Sequence, residues 1–298
     1  MSALVSSIGL GEVLALCSAV TFATSQVLIR MGMQTATPIA TAFIINGVVS
    51  VCGLAVSLYR GTLLDSGWMP LFWFAATGMV GPGVGRLSYF IGITRMGLNR
   101  SVTITSSTPL WSTLIAVLVL SERPSAWTLA GTLGIVCGVS LLSLRQSESQ
   151  TFRSWFTGAL IFPLIASLAY AIPPIFVKFA FVYQRTPEVG IAVAFSVANA
   201  FLFLSRPLRP DKGAVSVDRA GFAWIFAAGL FSAASSFFLW TAVMVGNVST
   251  TLPLSRTAPF LILILSYFFL RKMETITRRT ILGIAFVVIG GVLITVFH

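Results

Sequence analysis

Apolar residues run along this chain in long blocks separated by short polar loops. The blocks fall at about Leu10 to Arg30, Ile39 to Leu58, Pro70 to Ile91, Ser101 to Leu120, Trp127 to Leu144, Gly158 to Phe181, Val189 to Leu204, Gly221 to Val243, Thr251 to Leu270 and Ile281 to Val296. Each is near the roughly 20 residues that carry a helix across a bilayer and too long for a barrel strand of about 10. In lipid every run must satisfy its own backbone hydrogen bonds, so the pattern predicts ten transmembrane helices with no soluble domain between them.

Composition strengthens this picture. The chain is 56% hydrophobic and 9% charged, with a mean hydropathy of +0.95, whereas a soluble domain carries about a quarter charged residues. A net charge of +11 in a soluble chain would point to nucleic acid. Here the basic residues lie in the loops and read as topological signals, so the expected surroundings are the lipid bilayer and not nucleic acid. The first run contains LALC (Leu14 to Cys17), which resembles a lipoprotein cleavage site, but no Lys or Arg precedes it and Leu16 stands where a small residue is needed. It is expected to remain as an uncleaved helix. Cys17, Cys52 and Cys137 all fall inside apolar runs and imply no disulfide framework.

The chain repeats itself. LSERPSAWTLAGTLGIVCGVSLL (Leu120 to Leu142) matches FLRKMETITRRTILGIAFVVIGGVLI (Phe269 to Ile294), which pairs Glu122 with Glu274, Gly131 with Gly283 and Gly138 with Gly290. Upstream, Ser106 to Leu120 aligns with Arg256 to Leu270 and sets Pro109 on Pro259. The expected division is a first five-helix repeat at 1–148 and a second at 149–298, forming one integral membrane domain. Five is odd, so the repeats must lie inverted with respect to one another. The loop charges agree in the main: Arg30, Arg95, Arg100, Arg145 and Arg153 in the first half, and Arg206, Arg209, Lys212, Arg219, Arg271, Lys272, Arg278 and Arg279 in the second, then share one side, while Arg60, Arg123, Lys178 and Arg185 fall on the other. If that side is cytoplasmic, both termini are outside.

The parts for hydrolytic chemistry are missing. The only histidine is His298, and the eight acidic residues lie in loops or at helix ends. No catalytic residue, metal site or cofactor is expected, and an enzyme is not. Two arginines stand inside predicted helices instead, Arg86 and Arg256. Placing a guanidinium deep in hydrocarbon costs roughly 2.5 to 3.5 kcal/mol, so it normally faces the bundle interior or an aqueous cavity. Its fork fits a carboxylate or phosphate. The competing reading is that both lie near helix ends and snorkel to the interface.

Further binding or gating candidates are Tyr89, Trp111, Tyr170 and Trp240, whose rings stack on planar solutes or cations, together with the polar side chains Gln26, Asn46 and Ser107. For these the competing roles are packing and helix-to-helix hydrogen bonding. Gly81, Pro82, Gly83 and Gly85 weaken the third helix and mark a hinge or cavity. Pro109 and Pro259 follow hydroxyl-rich stretches in the fourth and ninth helices, and Pro173 and Pro174 predict a kink in the sixth helix without a counterpart in the first. Glu122 and Glu274 read as helix caps or ion-pair partners of Arg123 or Lys272.

The opening GEVLALCSAVTFATSQVLIRMG (Gly11 to Gly32), the SSTPLWSTLIAVLVLSER block and the glycine-spaced fifth and tenth helices resemble the drug/metabolite transporter superfamily, EamA type, over nearly the whole chain. It departs at TFATSQ (Thr21 to Gln26), where a tryptophan and glycine are common. The resemblance implies alternating-access transport of a small-molecule solute through a central cavity between the repeats. The function expected is an exporter or facilitator of amino acids and related amphipathic metabolites, such as the aromatic amino-acid branch, in a bacterial cytoplasmic (inner) membrane, with no obligate protein partner. Transport of phosphorylated or nucleotide-linked solutes, or lipid scrambling, stays as the alternative.

Overall fold

A computed structural model of the chain describes residues 9–96, 101, 104–143, 160–205, 216–258, 261 and 278–296. Among these residues there is no strand. Ten helical passes follow one another: α1 (Leu10–Gly32), α2 (Pro38–Tyr59), α3 in two halves (α3a, Trp68–Gly78; α3b, Arg86–Met96) joined by a π-helical turn (Met79–Gly85), α4 (Thr108–Leu120), α5 (Ala126–Ser143), α6 in two halves (α6a, Ile161–Ala171; α6b, Pro173–Tyr183), α7 (Pro187–Leu204), α8 (Arg219–Val245), α9 (Val248–Ser255) and α10 (Arg278–Val296). Leu10–Gly32, Ile39–Tyr59, Ile161–Tyr183, Pro187–Leu204 and Arg219–Val245 are each long and apolar enough to cross a membrane. Large apolar side chains such as Leu118 and Ile281 point outward, as a lipid-facing surface requires.

The contacts carry the inverted two-fold. Helix α1 packs on α8, and its repeat-mate α6 packs on α3, the mate of α8; α5 meets α10, α2 meets α7 and α4 meets α9. Small residues bring these helices together, the usual driver of packing where lipid supplies no hydrophobic force. On α1, Gly11, Ser18, Ser25 and Gly32 recur every seven residues and face Ala242, Ser235, Ala228 and Gly221 of the antiparallel α8. The Ser18 hydroxyl donates to the Ser235 carbonyl and that of Ser235 to the Ser18 carbonyl, each at 3.0 Å. One step on, Ser25 Oγ donates to the Ala228 carbonyl at 2.8 Å. At the ends, a methyl on Gly11 would lie 3.0 Å from Gly246 Cα, and one on Gly32 3.0 Å from the Gly221 carbonyl.

The α1–α2 turn is tied to the start of α8. Thr37 N donates to the Ser216 carbonyl at 3.0 Å. Asp218 caps α8 through the Gly221 N–H at 2.6 Å and accepts from the Thr35 hydroxyl at 2.5 Å. Thr35 first, then the Gly221 N–H, hold the Asp218 carboxyl below its ordinary range by binding its charged form. On the opposite face, where α1 begins, buried Glu188 at the start of α7 accepts from Thr62 and pairs with Arg60 at 3.6 Å.

Three passes are broken, at Met79–Gly85, at Ile172 and after Ser255. The Gly81, Pro82, Gly83 and Gly85 stretch adopts the π turn, and it brings α3 against α6 and α7: methyls on these glycines would meet Pro173 at 2.6 Å, Phe201 at 3.1 Å and Tyr170 at 3.0 Å, respectively for Gly81, Gly83 and Gly85. Helix α6 breaks at Ile172, before Pro173 and Pro174. The ninth helix departs from its expected start at Thr251. It begins at Val248 and stops at Ser255, so Arg256 lies at the C-terminal cap of a short helix and not within a continuous one. A turn at Ser106 and Ser107 likewise precedes α4, at the position related to Arg256 and Thr257 by the repeat. Pro109, the second residue of α4, is buried; Pro259 and Glu274 lie outside the described residues.

Candidate functional site

The breaks place the polar side chains. Arg86 is the first residue after the π turn, where the lost helical register turns its side chain into the bundle. Its Nη1 donates to Asn46 Oδ1 of α2 at 2.8 Å, and the guanidinium is near enough to Tyr170 on α6a for its charge to act there. Arg86 therefore faces the interior and does not snorkel. Arg256, at the α9 break, is near enough to Tyr170 for its charge to act there, and Tyr89 lies beside Tyr170. Asn46 is fully buried, whereas both arginines and both tyrosines are half-buried.

Five of the sequence candidates thus lie in one region of the bundle: Asn46 bonds Arg86, and Arg86, Arg256 and Tyr89 are near enough to Tyr170 to interact electrostatically with it. Ser107 adjoins them at the break before α4, where its hydroxyl and that of Ser167 on α6a are 2.9 Å apart. Trp111, one turn along α4, is half-buried, and Gln26 lies half-buried on the α1 stripe whose Ala19 and Ala23 pack against Ala258. Trp240 stands elsewhere. It is 8% exposed and packs in the core, its ring 5.8 Å from that of Phe74 and against Gly190. Asn199 spends its amide on the Phe43 carbonyl at 3.3 Å, joining α7 to α2.

Ser167 escaped the sequence reading. The signal was its spacing: Ser167 and Tyr170 stand three apart on one helical face just before Pro173 and Pro174.

The cluster is rich in donors. Among the described residues no carboxylate pairs with Arg86 or Arg256. Asn46 Nδ2, Trp111 Nε1 and Arg256 Nε are buried without a hydrogen-bond partner. Buried donors rarely remain unpaired, and discontinuous helices at membrane depth are where transporter sites form. Such an arrangement suits a ligand bearing acceptors or negative charge. Among the described residues no group of His, Cys, Asp or Glu is arranged to hold a metal ion.

The EamA-like transporter family model matches the chain twice, over residues 9–144 and 157–296. The chain belongs to the EamA-like transporter family. The two matches coincide with the two five-helix repeats, and the family makes this a multi-pass membrane transporter of small solutes within the drug/metabolite transporter superfamily. A solved structure described only as "Crystal structure of protein" superposes with a TM-score of 0.78 at 17% sequence identity, covering 95% of each chain. At that identity the likeness shows the EamA-type fold alone. No curated protein matches the chain in sequence.

Proposed function

We propose that this EamA-like transporter is an alternating-access exporter or facilitator of amino acids and related small amphipathic metabolites. The observation that carries the reading is the donor-rich cluster: Arg86, fixed by Asn46 at 2.8 Å, with Tyr170 and Arg256 beside it and no carboxylate opposing them. In this reading the solute carboxylate takes the Arg86 fork, Asn46 orients that fork, and Tyr89, Tyr170 and Trp111 meet the side chain. Arg256 supplies a second positive charge from the facing repeat. Trp240 is assigned to packing. Gly81 to Gly85 and the breaks at Ile172 and Arg256 serve as hinges.

Among the described residues no acidic side chain stands in the cluster to relay protons, which favours uniport or exchange. The concentration of Lys and Arg on one face favours a cytoplasmic assignment for that face, with both termini outside and the protein in a bacterial inner membrane.

The test is counterflow in proteoliposomes loaded with a panel of amino acids, with and without a pH gradient. Exchange confined to a few amino acids and indifferent to the gradient supports the proposal. Exchange only of phosphorylated solutes, or lipid movement without solute exchange, overturns it.

A further inference from the structure

The first half of the ninth pass is held from the opposite repeat. Glu122 follows α4, and its two carboxylate oxygens accept from Val248 N and Ser249 N at 2.9 Å each. These are backbone donors at the N-terminus of α9, which have no partner within the helix and lie at the positive end of its dipole. Lys178 of α6b donates to the Gly246 carbonyl at 2.6 Å and feels the charge of Glu122. Gly11 of α1 presses on Gly246 from the other side. The residue aiming Glu122 is unusual: Ser121 has φ 56° and ψ 27°, the sole non-glycine residue with positive φ among those described. That left-handed turn costs strain a serine does not ordinarily accept. All eight residues of α9 are buried, and its other end is the Arg256 break.

We propose that Val248–Ser255 is the moving gate of the face where α1 and α9 begin, and that Glu122, backed by Lys178, is the latch that holds it shut. The latch joins the repeats: Glu122 belongs to the first, Lys178 and the gate to the second. While the carboxylate caps α9, the segment closes the path from that face to Arg86 and Arg256. When the repeats separate there, Glu122 must leave Val248 N and Ser249 N, and the short helix pivots at Arg256. The residue that holds this gate is thus a carboxylate that takes no part in binding solute.

The experiment uses the full chain in nanodiscs, with Cys17, Cys52 and Cys137 replaced by alanine and one cysteine placed at Thr251, which is fully buried in α9. The labelling rate with a membrane-impermeant maleimide reports gate opening. A cysteine at Ala23, equally buried in α1, is the control. E122Q retains one acceptor and loses the charge; it is expected to raise labelling at position 251 at least fivefold and at position 23 less than twofold. K178Q is expected to give a smaller rise, again confined to position 251. Unchanged labelling at 251, or an equal rise at both positions, overturns the latch. If E122Q does not fold, K178Q decides by the same criteria.

Discussion

Helices α1 and α8 pack together in one half of the bundle as α6 and α3 do in the other, and the inverted repeat makes the two pairs equivalent. They have diverged in kind. The α1/α8 pair is continuous in both members, its small residues meeting at every second turn and its serines bonded reciprocally across the seam. The α3/α6 pair is interrupted in both members, by the π turn around Pro82 and by the break at Ile172. The offset of 150 residues that sets Ser106 on Arg256 also puts Arg86 opposite Ser236, beside Ser235, in the second repeat. Ser235 closes onto Ser18 and Ser236 bonds its own helix at the Ser232 carbonyl, whereas Arg86 reaches across to α2 and α6. One pair is a continuous strut, and the other holds the broken helices that carry the proposed site.

The sharpest way to break this contrast is to compare the equivalent positions. Arg86→Ala is expected to lower amino-acid counterflow at least tenfold in proteoliposomes, and Arg86→Lys nearly as much, because the fork and not the charge alone orients a carboxylate. Ser236→Ala should leave counterflow within twofold. Equal effects at the two positions would refute the division of labour.

Cross-linking tests motion. A methyl on Gly85 would stand 3.3 Å from Ala169 Cβ, near the separation of about 3.5–4.5 Å that a disulfide spans. In a cysteine-free background, oxidised Gly85→Cys/Ala169→Cys is expected to lose counterflow at least fivefold and to recover it on reduction. Ser18→Cys/Ser235→Cys, across the strut, should lose less than twofold.

A smaller effect sharpens the account of the strut itself. Ser18→Ala removes the hydroxyl that donates to the Ser235 carbonyl, while the Ser235 hydroxyl keeps the Ser18 carbonyl as its acceptor, a loss of about 1 kcal/mol. Thermal unfolding should fall by a few degrees with transport unchanged.

The smallest effect concerns the end of the strut. Because Asp218 has a folded pKa below its ordinary 3.8, its contribution is present above that value and is lost as pH falls through the folded pKa. Thr35→Val should therefore lower the melting temperature slightly at neutral pH. The gap to the parent protein should close as pH drops below 3.8, whereas a gap that persists would remove the Thr35 contact from the explanation.

Length and hydropathy were enough to read the passes, because a bilayer fixes how much apolar helix each crossing needs. The repeat also carried spatial information in coded form. Sequence aligns Gly131 with Gly283 and Gly138 with Gly290, but the folded chain crosses them: a methyl on Gly131 would meet the Gly290 carbonyl at 2.5 Å, and one on Gly138 the Gly283 carbonyl at 2.6 Å. An antiparallel pair related by a two-fold must contact in that crosswise order. What remained hidden depended on distant partners. Trp240 and Tyr170 are alike as aromatic residues in apolar runs, and only the neighbours, Phe74 and Gly190 for one and Arg86 for the other, separate core from site. Glu122 was legible as a cap, but the helix it caps lies in the other repeat. The end of α9 at Ser255 was concealed because the apolar run continues past it.

The strut also sets a schedule. Ser18 and Ser235 are 217 residues apart in the chain, so at ~5–20 residues per second a ribosome delivers the second on the order of 10–40 s after the first. During that interval the first helix sits in the bilayer with Gly11, Ser18, Ser25 and Gly32 turned toward lipid or toward a temporary companion. Assembly is therefore completed from the far end of synthesis, and a chain halted before its eighth helix leaves its first without the seam it was shaped to fill.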